Sequence, residues 1–388
     1  MTTISERQPD HRDIRDAVVR LCRDFPGEYW RALDRERAYP EQFVDRLTRE
    51  GWLAVLIPEE YGGSGLGLGA AAAILEEIHR SGGNGAACHA QMYTMGTILR
   101  HGSAAQKSDY LPRIARGDAR LQAFAVTEPA SGTDTTRIGA FARRDGDKYI
   151  VNGQKIWISR AEHSDLMLLL CRTAPRDEAK PTDGISVLIV DMREAVRSGL
   201  TIRPVRTMLN HATTELFFDD VPVPTGNLVG AEGRGFRYIL DGMNAERILI
   251  AAECIGDARF FIERATAWAK QREVFGRPIG QNQGVQFPIA RSWIELQAAA
   301  LMVEKAARLF EAGEPCGTEA NIAKLLASET SWRAADMCLQ IHGGFGFAEE
   351  FDIERKFRET RLYQVAPIST NLILAHVGTH VLGLPRSY

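Results

Sequence analysis

The chain has 388 residues, 45% of them hydrophobic and 25% charged; at about 150 residues per domain this implies two or three domains with a large core, and it excludes long disorder. A formal net charge of −3 supplies no bulk positive field, so nucleic acid and anionic lipid are not expected partners. No apolar run reaches the roughly 18 residues of a membrane span, and the start, residues 1–16, has acidic residues and no apolar core, which argues against a secretory or transit peptide.

In chain order, residues 1 to about 122 read as helices. The Gly-rich stretch from Tyr61 to Gly69 lacks GxGxxG spacing and reads as a loop, not a dinucleotide site. Ala70–Arg80 predicts an Ala-rich amphipathic helix, followed by helical spacing over Gly96–His101 and Gln106–Arg116. From about residue 121 the period becomes 2. Lys148–Ser159 predicts a hairpin turning at Asn152-Gly153, with another turn at Asp145-Gly146. Leu166–Arg172, Ile185–Asp191 and Glu215–Phe218 continue the strands, and Pro222 and Pro224 break the pattern. The helical period returns from Gly235 to the end. This order, helical, β, helical, is not the alternation of a parallel α/β sheet; it predicts an α+β fold.

Cys22, Cys88, Cys171, Cys254, Cys316 and Cys338 are scattered, with no CxxC pair. Buried reduced thiols in a cytoplasmic protein are expected. His376 and His380 stand four apart without an acidic neighbour, and no HExxH occurs, so no metal site is expected. No GxSxG supports a serine nucleophile.

Residues 124–134 carry more information. Phe124 and Val126 lead into Thr127-Glu128-Pro129 and a small-residue loop ending at Thr133-Asp134. Such a loop presents N–H groups and hydroxyls to a phosphate or a polar ring edge. Trp157-Ile158-Ser159 offers an aromatic plate followed by a hydroxyl. Further on come Arg272, Phe275 and Gly276, then Gln283, then Gln340-Ile-His-Gly-Gly344.

Together these segments resemble the acyl-CoA dehydrogenase family. VTEPASGTD (126–134) is similar to its TEPxxGSD signature and NGQKIWIS (152–159) to its NGxKxWIT. RxxFGxPI (272–279) and QxxGG (340–344) follow in the family order, from Gln106-Lys107 and Tyr110-Leu-Pro112 onward. The resemblance implies an N-terminal helical domain (1–122), a middle β-barrel-like domain (123–234) and a C-terminal four-helix bundle (235–388). It implies FAD, with Phe124, Val126, Thr127, Thr133, Trp157 and Ser159 along the flavin and pyrophosphate. Arg272, Phe275 and Gln283 would reach the FAD of a neighbouring subunit, whose adenylate end Gln340, Gly343 and Gly344 would hold. Ser369 and Asn371 fall where the family has Thr and Gln or Glu contacting FAD. A site shared between chains implies a homo-oligomer, usually a tetramer.

The implied reaction is α,β-desaturation of an acyl-CoA to a trans-2-enoyl-CoA, as in fatty acid β-oxidation. A carboxylate removes the α-proton acidified by the thioester, and flavin N5 accepts the β-hydride. Electrons would pass to an electron-transfer flavoprotein. Most relatives carry the base in a YEGT-type segment near the C-terminus, but here that position is Pro367. Isovaleryl- and long-chain-type members carry the Glu on an earlier helix, before Arg and an apolar run. Glu246-Arg247 precedes such a run here. Ile239, Met243, Glu246 and Ile250 share one helical face, so Glu246 would look out of an apolar stripe, which should strengthen it as a base. Pro367 has no N–H to polarise the thioester carbonyl; a ribityl hydroxyl or the Ile368 N–H would take that task. Thr133, Asn244 and Arg247 would meet the substrate. Arg160 replaces the usual Asn after the WIT-like segment. The alternatives are an acyl-CoA oxidase or flavin monooxygenase on this fold, or an acyl-CoA-binding paralogue without catalysis.

Overall fold

The computed structural model describes residues 11–386. Residues 1–10, on which most of the leader-peptide expectation rests, lie outside them.

Helices α1 (Arg12–Cys22), α2 (Gly27–Glu36), α3 (Glu41–Arg49), α4 (Leu68–Arg80), α5 (Ala86–His101) and α6 (Ala104–Arg116) come first. Strands β1 (Leu121–Ala125), β2 (Phe141–Asp145), β3 (Lys148–Ser159), β4 (Leu166–Arg172) and β5 (Ile185–Asp191) follow, then α7 (Met192–Arg197), β6 (Leu200–Pro204) and β7 (Thr213–Pro224). The remainder is α8 (Gly235–Gln271), a small hairpin of β8 (Glu273–Val274) and β9 (Arg277–Pro278), then α9 (Gln283–Glu311), α10 (Gly317–His342), α11 (Ile353–Arg361) and α12 (Thr370–His376). The helical, β, helical order read from the sequence is therefore observed. The described residues form two compact units, one of residues 33–66 and 86–246, the other of 11–32, 67–85 and 247–386.

The first unit is built on a curled seven-stranded sheet in the order β1-β4-β2-β3-β7-β6, with β5 paired to β4. β1 runs parallel to β4, while β2, β3, β7 and β6 form an antiparallel run. Its core packs Ala123, Tyr149, Leu169, Val190, Leu216 and Phe218. Helix α6 is fixed at its start by a capping box. Ser103 Oγ accepts from the Gln106 N–H at 3.1 Å, and Gln106 Oε1 accepts from the Ser103 N–H at 3.0 Å. The Gln106 amide also donates to the carbonyls of Gly226 and Leu228, at 2.8 and 2.9 Å.

Two strand expectations are corrected. Asn152-Gly153 is not a hairpin turn, because β3 continues through it. The turn is the upstream one, where Asp145 pairs with Lys148 across Gly146, at φ 62°. Residues beyond Gly153 find partners on β7, so extension gains more pairing than reversal. The Asn-Gly pair instead makes a bulge, with the register shifting between Val151 and Gly153. Asn152 steadies it by donating to Asp220 Oδ1 at 2.9 Å and accepting from the Asp220 N–H at 3.0 Å. Gly153, at φ 139°, has no room for a Cβ, which would lie 2.7 Å from Ala140 Cα. Nor does Pro222 break β7, which runs on to Pro224. Pro222 and Pro224 pair with Ile150 and Lys148 on β3. β6 stops opposite Phe218, so there the missing N–H groups leave no neighbouring strand unpaired.

In the second unit, α10 packs against α9, α11 and α12, and α4 against α1 and α9. α4 is buried on all sides from Leu68 to His79, so the expected amphipathic helix is a core helix. A Cβ at Gly256 of α8 would lie 2.3 Å from the Glu76 carbonyl of α4, and glycine permits that close approach. The cysteines are buried and unpaired with one another. Among the described residues no helix is long and apolar enough to cross a membrane, and no cluster of His, Cys, Asp or Glu is arranged for a metal ion.

Candidate active site

In the first unit, β1 delivers Phe124 and then the loop carrying Val126, Thr127 and Thr133. The loop is clamped from beneath by a buried ion pair. Lys155 of β3 lies 2.8 Å from Glu128 Oε1 and donates to the Val126 carbonyl at 2.8 Å. Glu128 also accepts from the backbone N–H groups of Gly139 and Ala140, at 2.6 and 2.9 Å. Burial pushes the Lys155 ammonium below its usual range, and Glu128 opposes that shift. Glu128 and Lys155 fall inside the two motifs, yet motif matching alone did not reveal that they are partners. Above the clamp, Thr133 is exposed.

Trp157 owes its position to a second irregularity in β3. The β3–β7 register shifts between Ile156 and Ile158, and Trp157 has a φ of 64°. Such a bulge re-aims a side chain, and the indole stands 57% exposed. Ser159 is half-buried two residues on. Arg160 is buried with a φ of 60°, in the left-handed region that Asn tolerates better than most residues; its Nη1 lies 3.4 Å from His211 Nε2. An exposed aromatic plate, nearby hydroxyls and a clamped loop have the chemistry that the edge and face of a flavin call for. Trp157→Ala is expected to weaken FAD binding by about 2–10-fold, the range for one aromatic stacking contact, as read by flavin fluorescence on dilution. Unchanged affinity would remove Trp157 from the site.

Glu246 lies on α8 at the end of the same unit and is 8% exposed. Ile239 and Ile250 of the expected stripe are buried and Met243 is half-buried. The phenol of Tyr93, from α5, is near enough to feel the Glu246 charge. Burial first, and Glu246 next, hold that phenol protonated far above its usual range, while Arg160 pulls the other way. The Tyr93 ring lies 6.1 Å from Phe124 and 5.2 Å from His89. Tyr93 belongs to no motif, and nothing in its sequence context singles it out. Asn244 is half-buried two residues before Glu246.

The second unit holds the other predicted residues, in two groups. Arg272, at the start of the β8–β9 hairpin, places its guanidinium 5.7 Å from the Phe345 ring centroid, beside the end of α10, which carries Gln340, and the turn with Gly343 and Gly344. Trp268 stacks on His342, the last residue of α10, at 5.0 Å. Gly343 has a φ of 58°, and the space around a Cβ at Gly343 or Gly344 is open. Phe275 is fully exposed at a φ of 53°, and Gln283 is exposed at the start of α9. The second group surrounds Pro367. Buried Lys324 donates to the Ile368 carbonyl at 2.8 Å, which fixes the peptide that follows. Ser369 caps α12 by accepting from the Leu372 N–H, and Asn371 is exposed. The Arg247 charge reaches His376, whose pKa is lowered first by burial, then by His380 and Arg247.

Family models for the acyl-CoA dehydrogenase N-terminal, middle and C-terminal domains match residues 8–118, 123–221 and 233–379. The chain belongs to the acyl-CoA dehydrogenase family. It is similar to an acyl-CoA dehydrogenase of Mycobacterium bovis, 34% identical with the whole of both chains covered. It resembles a glutaryl-coenzyme A dehydrogenase solved as a complex with glutaryl-CoA (TM-score 0.91, 28% identity, 99% of this chain and 98% of that one). It also resembles a glutaryl-CoA dehydrogenase of Mycobacterium smegmatis in complex with FADH2 (TM-score 0.90, 25% identity, 99% and 97%). The family uses FAD, and this chain is accordingly an oxidoreductase of the acyl-CoA dehydrogenase class.

Proposed function

We propose that the chain desaturates an acyl-CoA thioester to the trans-2-enoyl-CoA with Glu246 as the α-proton base. The observation that carries this reading is a buried carboxylate on an apolar face of α8, near Tyr93, in a chain whose usual base position is Pro367. When bound, FAD supplies the hydride acceptor. Glu246 takes the α-proton, and its burial keeps water from competing for it. Asn244, Arg247 and Thr133 bind the thioester and pantetheine. The Ile368 N–H, on the residue whose carbonyl Lys324 holds, polarises the thioester oxygen. Phe124, Val126, Thr127, Trp157, Ser159, Ser369 and Asn371 hold the flavin and its pyrophosphate.

The functional domains run over 1–122, 123–234 and 235–388. The assembly is a homo-oligomer, with a tetramer as the leading form. Phe275, Phe287, Trp293, Ile294 and Leu301 are large exposed apolar residues on the β8–β9 hairpin and α9, and a face of this kind calls for a partner. There Arg272, Phe275 and Gln283, with Gln340, Gly343 and Gly344, reach the FAD of the neighbouring copy. Phe275→Asp is expected to weaken association at least about tenfold, measured by sedimentation velocity; an unaltered oligomer would contradict this face.

The electron acceptor is an electron-transfer flavoprotein, and the setting is cytoplasmic fatty acid oxidation. The test is to mix the purified flavoprotein anaerobically with acyl-CoAs of varied length and branching. Prompt bleaching of the flavin band, with reoxidation faster by an electron-transfer flavoprotein than by oxygen, supports the proposal. Bleaching followed by fast oxygen turnover indicates an oxidase. No bleaching with any acyl-CoA returns the chain to the monooxygenase or binding readings.

A further inference from the structure

We propose that Arg172 is a positioning residue for FAD, tying down the far end of the loop after β1 and setting a buried positive charge beneath it for the cofactor's diphosphate. This rests on residues 124–134 lining the flavin and its pyrophosphate, as proposed above. Arg172 ends β4 and is buried. Among the described residues its guanidinium bonds to four backbone carbonyls and to no carboxylate. Nε donates to Ile138 at 3.1 Å, Nη1 to Asp183 at 3.1 Å, and Nη2 to Thr136 and Pro181 at 2.6 and 2.9 Å. Five N–H groups in a fixed planar fork can serve four convergent carbonyls, and the three donors of an ammonium cannot. Thr136 and Ile138 lie just past Thr133, whereas Pro181 and Asp183 belong to the segment between β4 and β5.

The tie completes a frame. At the near end Lys155 holds the Val126 carbonyl, and Glu128 accepts from the Gly139 and Ala140 N–H groups. At the far end the Arg172 side chain holds Thr136 and Ile138, and its own N–H donates to the Ala140 carbonyl at 2.8 Å. Between these anchors the loop is shaped by its own bonds. Ser131 Oγ donates to the Asp134 carbonyl at 2.6 Å, and Asp134 Oδ1 accepts from the Thr136 N–H at 3.2 Å. The exposed Thr133 sits within this stretch.

The charges beneath the loop do not cancel. Glu128 is one carboxylate against two buried cations, Lys155 and Arg172. Arg176, the next cation, is paired with Glu178. Burial first, and Arg176 next, hold the Arg172 guanidinium below its usual range, and Glu128 opposes them. A buried cation without a carboxylate of its own attracts an anion more strongly than it would in water. The diphosphate is the anion that FAD brings.

Arg172→Gln and Arg172→Lys test this in the holoenzyme. Arg172→Gln removes the charge and most of the fork, and its FAD affinity should fall by about 10–100-fold, the scale of one or two charge-assisted hydrogen bonds. Arg172→Lys keeps the charge without the fork and should lose about 3–10-fold; if Arg172→Gln does not fold, it carries the test alone. Flavin fluorescence on dilution reads both. A spectroscopic readout separates positioning from plain stability. The two phosphorus resonances of bound FAD should move toward those of free FAD in the variants, while the visible flavin band, set at the Trp157 end, stays in place. A merely structural Arg172 would lower the thermal midpoint and leave both affinity and phosphorus resonances at the parent's values, and that result would overturn the proposal. Trp157→Ala and Thr133→Val serve as controls. If they weaken FAD binding and the Arg172 variants do not, only the role of Arg172 is wrong. If they leave FAD affinity unchanged, the loop does not hold the cofactor, and the reading beneath the proposal falls with it.

Discussion

Glu246→Gln is expected to bind FAD and acyl-CoA as the parent does and to lose flavin reduction by about 10²–10⁴-fold, the range for removing a general base. The amide keeps the shape of the side chain, so the lesion is confined to proton transfer. Rapid-mixing absorbance under anaerobic conditions reads the loss directly. A variant that bleaches at the parent rate would show that another group takes the α-proton. Few rivals stand at the usual base position, since Pro367 carries no titratable group and its flanking residues are Ala366 and Ile368.

The second large effect is expected at Lys155. Its ammonium is fully buried and serves both Glu128 and the Val126 carbonyl. Lys155→Met leaves the Glu128 carboxylate buried without its cation, a loss of about 3–5 kcal/mol for a broken buried pair. The urea midpoint should fall accordingly, and the flavin-to-protein ratio after gel filtration should drop as the loop over residues 126–134 loses its floor. The double variant Lys155→Met with Glu128→Gln should recover part of the stability, because no unpaired charge remains. A single variant with the parent's midpoint and flavin content would contradict the clamp.

Much of this architecture was legible before any coordinates. Hydrophobic period marked the switch at Leu121, because strands and helices place apolar residues at different repeats, and the structure starts β1 there. The exits of β4 and β5 were equally clear, since both strands are continuous apolar runs. What failed was punctuation. Asn152-Gly153 carries the signature of a turn, but local preference yields when a long partner strand lies in register, and the dipeptide became a bulge. Pro222 and Pro224 read as breakers because their cost depends on whether a neighbour needs the missing N–H, which only the pairing of β6 decides. α4 read as amphipathic because an Ala-rich helix hides which face is covered.

The site divides along the same line. Trp157, Glu246 and the loop after Phe124 were visible as motif residues, for each is a chemical type required at a fixed spacing. Tyr93 was not, because its place near Phe124 depends on α5 packing on β1, a contact between residues far apart in the chain. Glu128 and Lys155 lay in view but unconnected, since a pairing across a loop and a strand is a property of the fold. Lys324, which fixes the Ile368 carbonyl from α10, was silent for the same reason.

The most direct measurement is a single anaerobic turnover with the parent enzyme and an acyl-CoA that bleaches it, followed by mass spectrometry of the thioester. The account predicts one trans-2-enoyl-CoA, two mass units lighter than the substrate, for each flavin reduced, and no such product from Glu246→Gln. An unchanged thioester beside an oxidised flavin, an oxygenated product on admitting air, or equal enoyl-CoA from Glu246→Gln would contradict it.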